Sequence, residues 1–330
     1  IVITTKKGRF NQPLKIELNT NVIVVAKPDL YSLPQISSTD YIDVEQFLYN
    51  KGAFGSLIND PSQTALSPAL EIFIKRAGGQ ISAADSASAI NAIKSIDARA
   101  DYLKYVYQAA VTQIYSLNVR GGSGNMTYFI SGGYDKGIGH LNEKSDRATL
   151  RLENTYKPLQ NLQLSLSVIY TSTISKSGKT GYNESGIKIG NRFVPYISLA
   201  DKNGNQLPVA SNYRDGYTDT AGSGKLLNWK YYPLEDYKHN TTKSNGQSFV
   251  ARFGLQYQLI KELSVDIKYQ YERDQLSSRN LADIESYSTR NMINLFSQID
   301  QSTGLVSYAV PYGSILNRSG SLLKAHNVRG

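Results

Sequence analysis

The chain has 330 residues, of which 40% are hydrophobic and 19% are charged, and its net charge is +9. It has no cysteine, which excludes disulfide bridges and thiolate metal sites, and no apolar stretch approaches the roughly 18 residues of a membrane-spanning helix. The basic residues are scattered and form no run of five, so the positive charge does not indicate a nucleic-acid partner. Because the chain starts at Ile1 without a signal peptide and its pattern continues to Gly330, we expect an internal fragment of a longer protein.

Seven segments alternate apolar and polar residues, which is typical of strands with one apolar face. Several are about ten residues long, the length that a tilted membrane-crossing strand needs, whereas soluble strands usually have about five or six. Tyrosines gather toward the ends of these segments, as in the aromatic girdle of a membrane barrel. In chain order the predicted strands are 14–19, 115–120, 127–134, 148–156, 162–170, 249–259 and 263–272.

The connections between these strands alternate in length. The first long connection, 28–113, carries predicted helices at 38–48 and 83–96, which we expect to be local caps and not a separate domain. The other long connections are 135–145 and 175–247, the latter with a hairpin turn at 201–204. The short turns are 121–125, 158–161 and 260–262, and glycines in the first are expected to supply permissive φ angles. Outer-membrane barrels have short periplasmic turns and longer extracellular loops, so the sequence favours an all-β transmembrane barrel with short helices in its loops.

Aromatic and basic residues in the loop 175–247 are candidates for stacking on sugars or peptides. The substrate-contacting candidates are Tyr213, Arg214, Tyr217, Trp229 and Tyr231. The alternative is that these side chains only pack the loop together. The histidines, His140, His239 and His326, are far apart and lack metal-ligand spacing, and we find no catalytic constellation. We therefore expect no metal, no cofactor and no enzymatic activity.

The opening residues Ile1-Val2-Ile3-Thr4-Thr5-Lys6-Lys7-Gly8 resemble the end of the plug domain in the SusC/RagA family of TonB-linked outer-membrane transporters. In that family the first barrel strand follows at once, as 14–25 would here. The run from Tyr115 to Val119 with Gly121-Gly122, continuing through Tyr128 to Tyr134, is similar to the family's second and third strands. The resemblance implies that residues 1–10 end a plug. Residues 11–330 would then begin a large antiparallel transmembrane barrel of the 22-strand type.

The resemblance also implies a function. Such a barrel imports a large nutrient, an oligosaccharide or a peptide, across the outer membrane of a Gram-negative, Bacteroidetes-like bacterium. Its expected partners are outer-membrane lipid, a SusD-like surface lipoprotein, and the TonB complex through a region outside this sequence. Two alternatives stay open: a soluble or surface-exposed all-β carbohydrate-binding module, and an all-β hydrolase, for which no carboxylate or histidine constellation is found.

Overall fold

A computed structural model describes residues 8–32, 34–182, 187–300 and 302–330 of the chain. It is mostly β structure, and its main feature is an eight-stranded antiparallel sheet that is not closed. The strands are β1 Lys15–Val25, β2 Ala110–Gly122, β3 Met126–Ile138, β4 Lys144–Leu159, β5 Leu162–Lys176, β6 Asn240–Ile260, β7 Leu263–Ala282, β8 Ser297–Ile299, β9 Val306–Tyr308 and β10 Ile315–Arg329. Strands β8 and β9 form a separate short hairpin.

The order across the large sheet is β1-β2-β3-β4-β5-β6-β7-β10, so that neighbours in sequence pair with each other until the last strand. This meander follows from the short turns at 123–125, 160–161 and 261–262, because tight turns join antiparallel strands directly. All three turns lie at one end of the sheet, here called the turn end, and the long connections lie at the other, the loop end.

The register places apolar side chains opposite one another across the sheet. One row runs from Val119 to Ile130, then to Leu152, Val168 and Ala251, each paired with the next. Since side chains alternate between the two faces, all their neighbours at even spacing share this surface, here called the apolar face. The opposite, polar face carries most of the paired charges of the sheet. Apolar rows in register across neighbouring strands fix the pairing, because a slip of one residue would exchange the two faces.

The described residues leave the apolar face uncovered. Leu18 is 71% exposed, Leu150 54% and Leu263 52%. Scattered exposed leucines are normal in proteins, but continuous rows of them across several strands are typical of an interaction surface.

The buried core lies outside the sheet, among the long connections at the loop end. Residues 26–109 and 177–239, here called the loop layer, contain α1 Ser38–Asn50, α2 Gly55–Ile58, α3 Pro68–Ala77, α4 Ala83–Lys94, α5 Ala98–Asp101, α6 Asp215–Thr220 and α7 Pro233–His239, while α8 Tyr287–Phe296 follows β7. Residues of both connections share one cluster, in which Ile42, Leu70 and Leu199 are fully buried. Among the described residues no helix is both long enough and apolar enough to cross a membrane.

Capping side chains explain where the main helices begin. Ser37 precedes α1 and accepts a hydrogen bond from the backbone N of Asp40, and Ser82 does the same for Asp85 at the start of α4. Ser67 caps α3, whose first residue is a proline. The predicted helices at 38–48 and 83–96 are thus confirmed, and so is the turn at 201–204, where Gly204 has φ +86°. Helix α3 was not predicted.

All seven predicted strands are found, and each is longer than its alternating segment. The loop expected at 135–145 is therefore wrong in extent, because β3 and β4 continue to residues 138 and 144 and leave only 139–143 between them. Likewise β6 starts at Asn240 and not near 249, since its first residues are polar on both faces and hide the alternation. Most of the tyrosines expected at strand ends lie inside the longer strands, where Tyr170 and Tyr271 mark the end of the apolar rows.

Strand β10 was missed altogether because its sequence, ILNRSGSLLKAHNVR, does not alternate regularly. Residues 1–7 of the predicted plug end lie outside the described residues. Gly8 is described, and a Cβ there would contact the backbone oxygens of Tyr128 and Gly121. The segment that follows therefore packs against the β2–β3 hairpin.

Candidate ligand-binding surfaces

The segment 8–12 crosses the turn end of the β2–β3 hairpin. The backbone N of Asn11 donates to the carbonyl oxygen of Ser123 at 3.0 Å, and the backbone N of Gly122 donates to that of Gln12 at 2.9 Å. A Cβ on Gly122 would overlap the carbonyl oxygen of Arg9. Gly121 and Gly122 do not have positive φ, so the expectation that they supply permissive angles is wrong. Glycine is required at these two positions because a Cβ atom would clash with the ring of Tyr128 or with the backbone of segment 8–12.

The polar face holds a charged concavity of about 530 Å³ near the turn end. Its floor follows one cross-strand row, in which Glu153 is opposite Ser167, Ser167 is opposite Arg252, and Arg252 is opposite Gln270. The Nε of Arg252 donates to Gln270 Oε1 at 2.7 Å, and Lys268 pairs with Asp266 at 2.9 Å. Such a row can hold water or polar surface, but not acyl chains.

The loop layer holds a larger cleft, about 730 Å³, here called the loop cleft. Helix α3 forms one wall with Glu71 and Lys75, and α6 forms another with Asp215 and Tyr217. The helices come together because an isolated bridge joins Thr64 to Tyr213 and places the start of α6 beside α3.

Arg214 lies in the wall of the loop cleft and is held by Glu71. Its Nε and one terminal nitrogen donate to the two carboxylate oxygens at 2.8 and 2.9 Å, a bidentate pair that raises the pKa of Arg214. The guanidinium is thereby fixed in direction, although both side chains remain partly exposed.

Three of the predicted residues form one aromatic cluster. The ring centres of Tyr213, Tyr217 and Trp229 lie 5.3 to 5.9 Å from one another. Trp229 is 6% exposed and its Nε1 donates to Asn291 Oδ1 at 2.8 Å, so the indole is a packing residue in this structure. Tyr217, 37% exposed, is the member whose ring reaches the loop cleft.

Tyr231 stands apart from this cluster. Its ring lies 5.1 Å from that of Tyr287 on α8, and its carbonyl oxygen accepts a hydrogen bond from the backbone N of Val209 at 2.9 Å. Burial raises the pKa of its hydroxyl. Tyr231 therefore joins the loop layer to α8.

Three acidic residues at the loop cleft, Asp215, Asp219 and Glu71, were not singled out from the sequence. Burial raises the pKa of Asp215, and the neighbouring carboxylate of Asp219 adds to this, while Lys230 opposes it. Lys230 itself pairs with Asp219 at 3.0 Å. Glu71 was also missed, because it lies far upstream of Arg214 in sequence and only the fold brings the two together. Within the ranges that the structure describes, no group of three acidic or histidine residues is arranged to hold a metal ion.

Comparison with solved structures finds a similar fold in several chains, including three from RagAB structures. The RagAB peptide transporter superposes with a TM-score of 0.53 at 17% identity, covering 84% of this chain and 30% of that one. The RagAB peptide importer gives a TM-score of 0.53 at 18% identity in its closed-closed and open-open states, covering 84% of this chain and 30% and 29% of theirs. The chain therefore corresponds to less than a third of the length of each. No family model matches the sequence, and no curated protein matches it.

Proposed function

We propose that this chain is part of the wall of a SusC/RagA-type outer-membrane barrel that imports a large nutrient, a peptide or an oligosaccharide. The observation that carries the proposal is the apolar face, whose rows stay in register from β1 to β7 and remain uncovered. Lipid would cover those rows, and the charged polar face would look into a wet or plugged interior.

The open edges of the sheet support the same proposal. Strands β1 and β10 each have one unpaired side among the described strands. Unpaired backbone groups are costly in hydrocarbon, so a membrane sheet must close on itself. We infer that further strands complete a barrel of the 22-strand type.

The remaining parts of the proposal follow the family resemblance. Residues 1–10 would end the plug, which fits the contact of segment 8–12 with the β2–β3 hairpin. A SusD-like lipoprotein would lie over the loop layer, and the TonB complex would act through another region. The three solved structures support peptide as one substrate class, since they are described as a peptide transporter or importer.

The loop cleft is our proposed substrate-contacting surface. Tyr217 offers an aromatic ring there, Arg214 a guanidinium fixed in direction, and Asp215 a carboxylate outside any ion pair in the described part of the chain. Tyr213, Trp229 and Tyr231 would hold these groups in place instead of touching the substrate.

Fractionation of cells that make the full-length protein tests the proposal. We expect the protein in the outer-membrane fraction, resistant to carbonate extraction and released only by detergent. On gel electrophoresis it should migrate more slowly after boiling, because boiling unfolds the barrel. Recovery of folded protein in the soluble fraction would favour the carbohydrate-binding module instead. An uptake assay with a peptide digest and with mixed oligosaccharides then separates the two substrate classes.

A further inference from the structure

Five basic residues form a single cross-strand row at the loop end of the sheet. Lys144 is opposite Lys176, Lys176 is opposite Lys243, Lys243 is opposite Arg279, and Arg279 is opposite Arg318. With about 4.8 Å between neighbouring strands, the row spans roughly 19 Å across β4, β5, β6, β7 and β10. We call it the cationic row.

The cationic row lies on the apolar face, in even register with Leu150, Tyr170 and Phe249. All five side chains are exposed, and within the described part of the chain none forms an ion pair or a side-chain hydrogen bond. Like charges directly opposite one another in a sheet are destabilising. The row is therefore unfavourable unless anions from outside this chain lie against it.

The polar face provides an internal comparison. There Arg147 pairs with Asp135 and Arg151 with Glu153, so the basic residues are balanced by acids of the same face. On the apolar face Asp146 is opposite Lys136 and accepts a hydrogen bond from Tyr134 at 2.8 Å. The five cations of the row, in contrast, have no acid directly opposite them on the described strands.

A groove of about 330 Å³ lies between the cationic row and the apolar rows. It is lined by three aromatic side chains, Tyr170, Phe249 and Tyr271, and by three polar ones, Arg273, Gln247 and Gln275. The rings of Phe249 and Tyr271 are 6.1 Å apart, and Lys324 is opposite Arg273 on the neighbouring strand. Along β7, from the turn end to the cationic row, this face changes from aliphatic (Leu263 to Ile267) to aromatic (Tyr269 and Tyr271) and then to basic (Arg273 and Arg279).

We propose that the cationic row and this groove bind phosphate-bearing lipids of the leaflet at the loop end. The inference rests on the proposed membrane function and adds a lipid class to it. One anionic lipid satisfies the whole surface, because its acyl chains cover the leucine rows, its glycerol or sugar part fits the aromatic groove, and its phosphate meets the basic residues. A soluble acidic protein would satisfy only the cations.

A charge-removing variant of the full-length protein tests the inference. It carries Lys176→Gln, Lys243→Gln and Arg279→Gln, and its control carries Lys188→Gln, Lys202→Gln and Lys225→Gln, which remove the same charge from the loop layer. Delipidated protein in neutral detergent is titrated with phosphatidylglycerol, phosphatidylcholine or inorganic phosphate, and bound lipid is counted by native mass spectrometry. Each basic residue near an anionic surface changes affinity about five-fold, so the row variant should bind phosphatidylglycerol on the order of 100-fold more weakly.

The inference holds if the wild type and the loop-layer control prefer phosphatidylglycerol and the row variant does not. Equal binding by all three proteins would overturn it, as would displacement of the lipid by millimolar inorganic phosphate or an equal affinity for phosphatidylcholine. If the triple variant does not fold, single substitutions of Lys243 and of Arg279 replace it in the test. Each is expected to weaken phosphatidylglycerol binding about five-fold. Failure of the proposed function is a different result, namely wild-type protein in the soluble fraction.

Discussion

Glu45 is a carboxylate buried inside the loop layer, with 5% of the residue exposed. Ser67 donates to one of its oxygens at 2.7 Å and the hydroxyl of Tyr196 donates to the other, so Glu45 joins α1 to the cap of α3 and to the second long connection. Burial raises its pKa, and the two hydrogen bonds and the nearby Arg192 only partly oppose this. Proton uptake is therefore coupled to the stability of the loop layer.

The sign of that coupling gives the first prediction. Because the folded state binds this proton more tightly than the unfolded state, the contribution of Glu45 to the stability of the loop layer should be fully present below the ordinary Glu pKa and be lost as pH rises through the raised pKa. Glu45→Gln should flatten this dependence. Hydrogen exchange of α1 amides across a pH series measures it, with Glu262→Gln in the exposed β6–β7 turn as control. Parallel curves for wild type and Glu45→Gln would contradict the prediction.

At the scale of single residues, the sequence identified aromatic candidates in the second long connection and left open whether they bind a ligand or only pack the loop. Tyr213, Tyr217 and Trp229 were recognised by type, and the structure brings them together. That Trp229 points inward to Asn291 depends on α8, which lies about sixty residues further along the chain. The cationic row could not be read from the sequence either, because pairing of Lys176 with Lys243 requires the register of two strands joined by a long connection.

At the scale of elements, the two faces of β5 should differ sharply in what they tolerate. Leu166 lies on the apolar face between Asn154 and Phe253, and the next residue, Ser167, lies on the polar face between Glu153 and Arg252. If lipid covers the apolar face, Leu166→Lys should destabilise the folded protein by about 2–4 kcal/mol, whereas Ser167→Lys should have a small effect. Urea unfolding in phospholipid vesicles measures both. Equal effects would mean that water reaches both faces.

The contact between segment 8–12 and the β2–β3 hairpin gives a second prediction for an element. A methyl group on Gly122 would overlap the carbonyl oxygen of Arg9, so Gly122→Ala should cost about 1–3 kcal/mol or displace the segment. Gly132 in β3 has open space around its Cβ position, and Gly132→Ala should be neutral or stabilising by up to about 1 kcal/mol. Thermal unfolding in detergent compares them, and matching midpoints would show that the segment does not press on the hairpin.

The elements themselves were predictable wherever local signals were complete. Period-two alternation located seven strands, and capping serines located α1 and α4, because both signals depend on neighbours in sequence. Strand β10 was not predicted because its extended conformation depends on pairing with β7 and not on a pattern in its own sequence. The first part of β6 was not predicted because the backbone hydrogen bonds of the sheet continue beyond the point where side-chain alternation stops. The loop cleft was unpredictable for a related reason, since its walls come from two connections that are distant in sequence.

At the scale of the whole molecule, the structure has two regions that are stabilised in different ways. The loop layer buries its own apolar residues in one cluster, whereas no described part of the chain covers the apolar face of the sheet. If lipid supplies the missing cover, the stability of the sheet depends on the bilayer and that of the loop layer does not. The two regions should therefore respond separately to denaturant and to the membrane.

Hydrogen exchange of the full-length protein in vesicles tests this separation. We expect amides of α1 and α3 to lose protection at lower urea than those of β5 and β6, because the latter stay in a continuous ladder between lipid and the polar face. Changing the bilayer thickness should shift the midpoint of the strands and leave that of the helices unchanged. A single midpoint for all these amides, unaffected by the lipid, would contradict the prediction. It would mean that one shared core stabilises both regions and that the exposed rows on β1 to β7 are not covered by lipid.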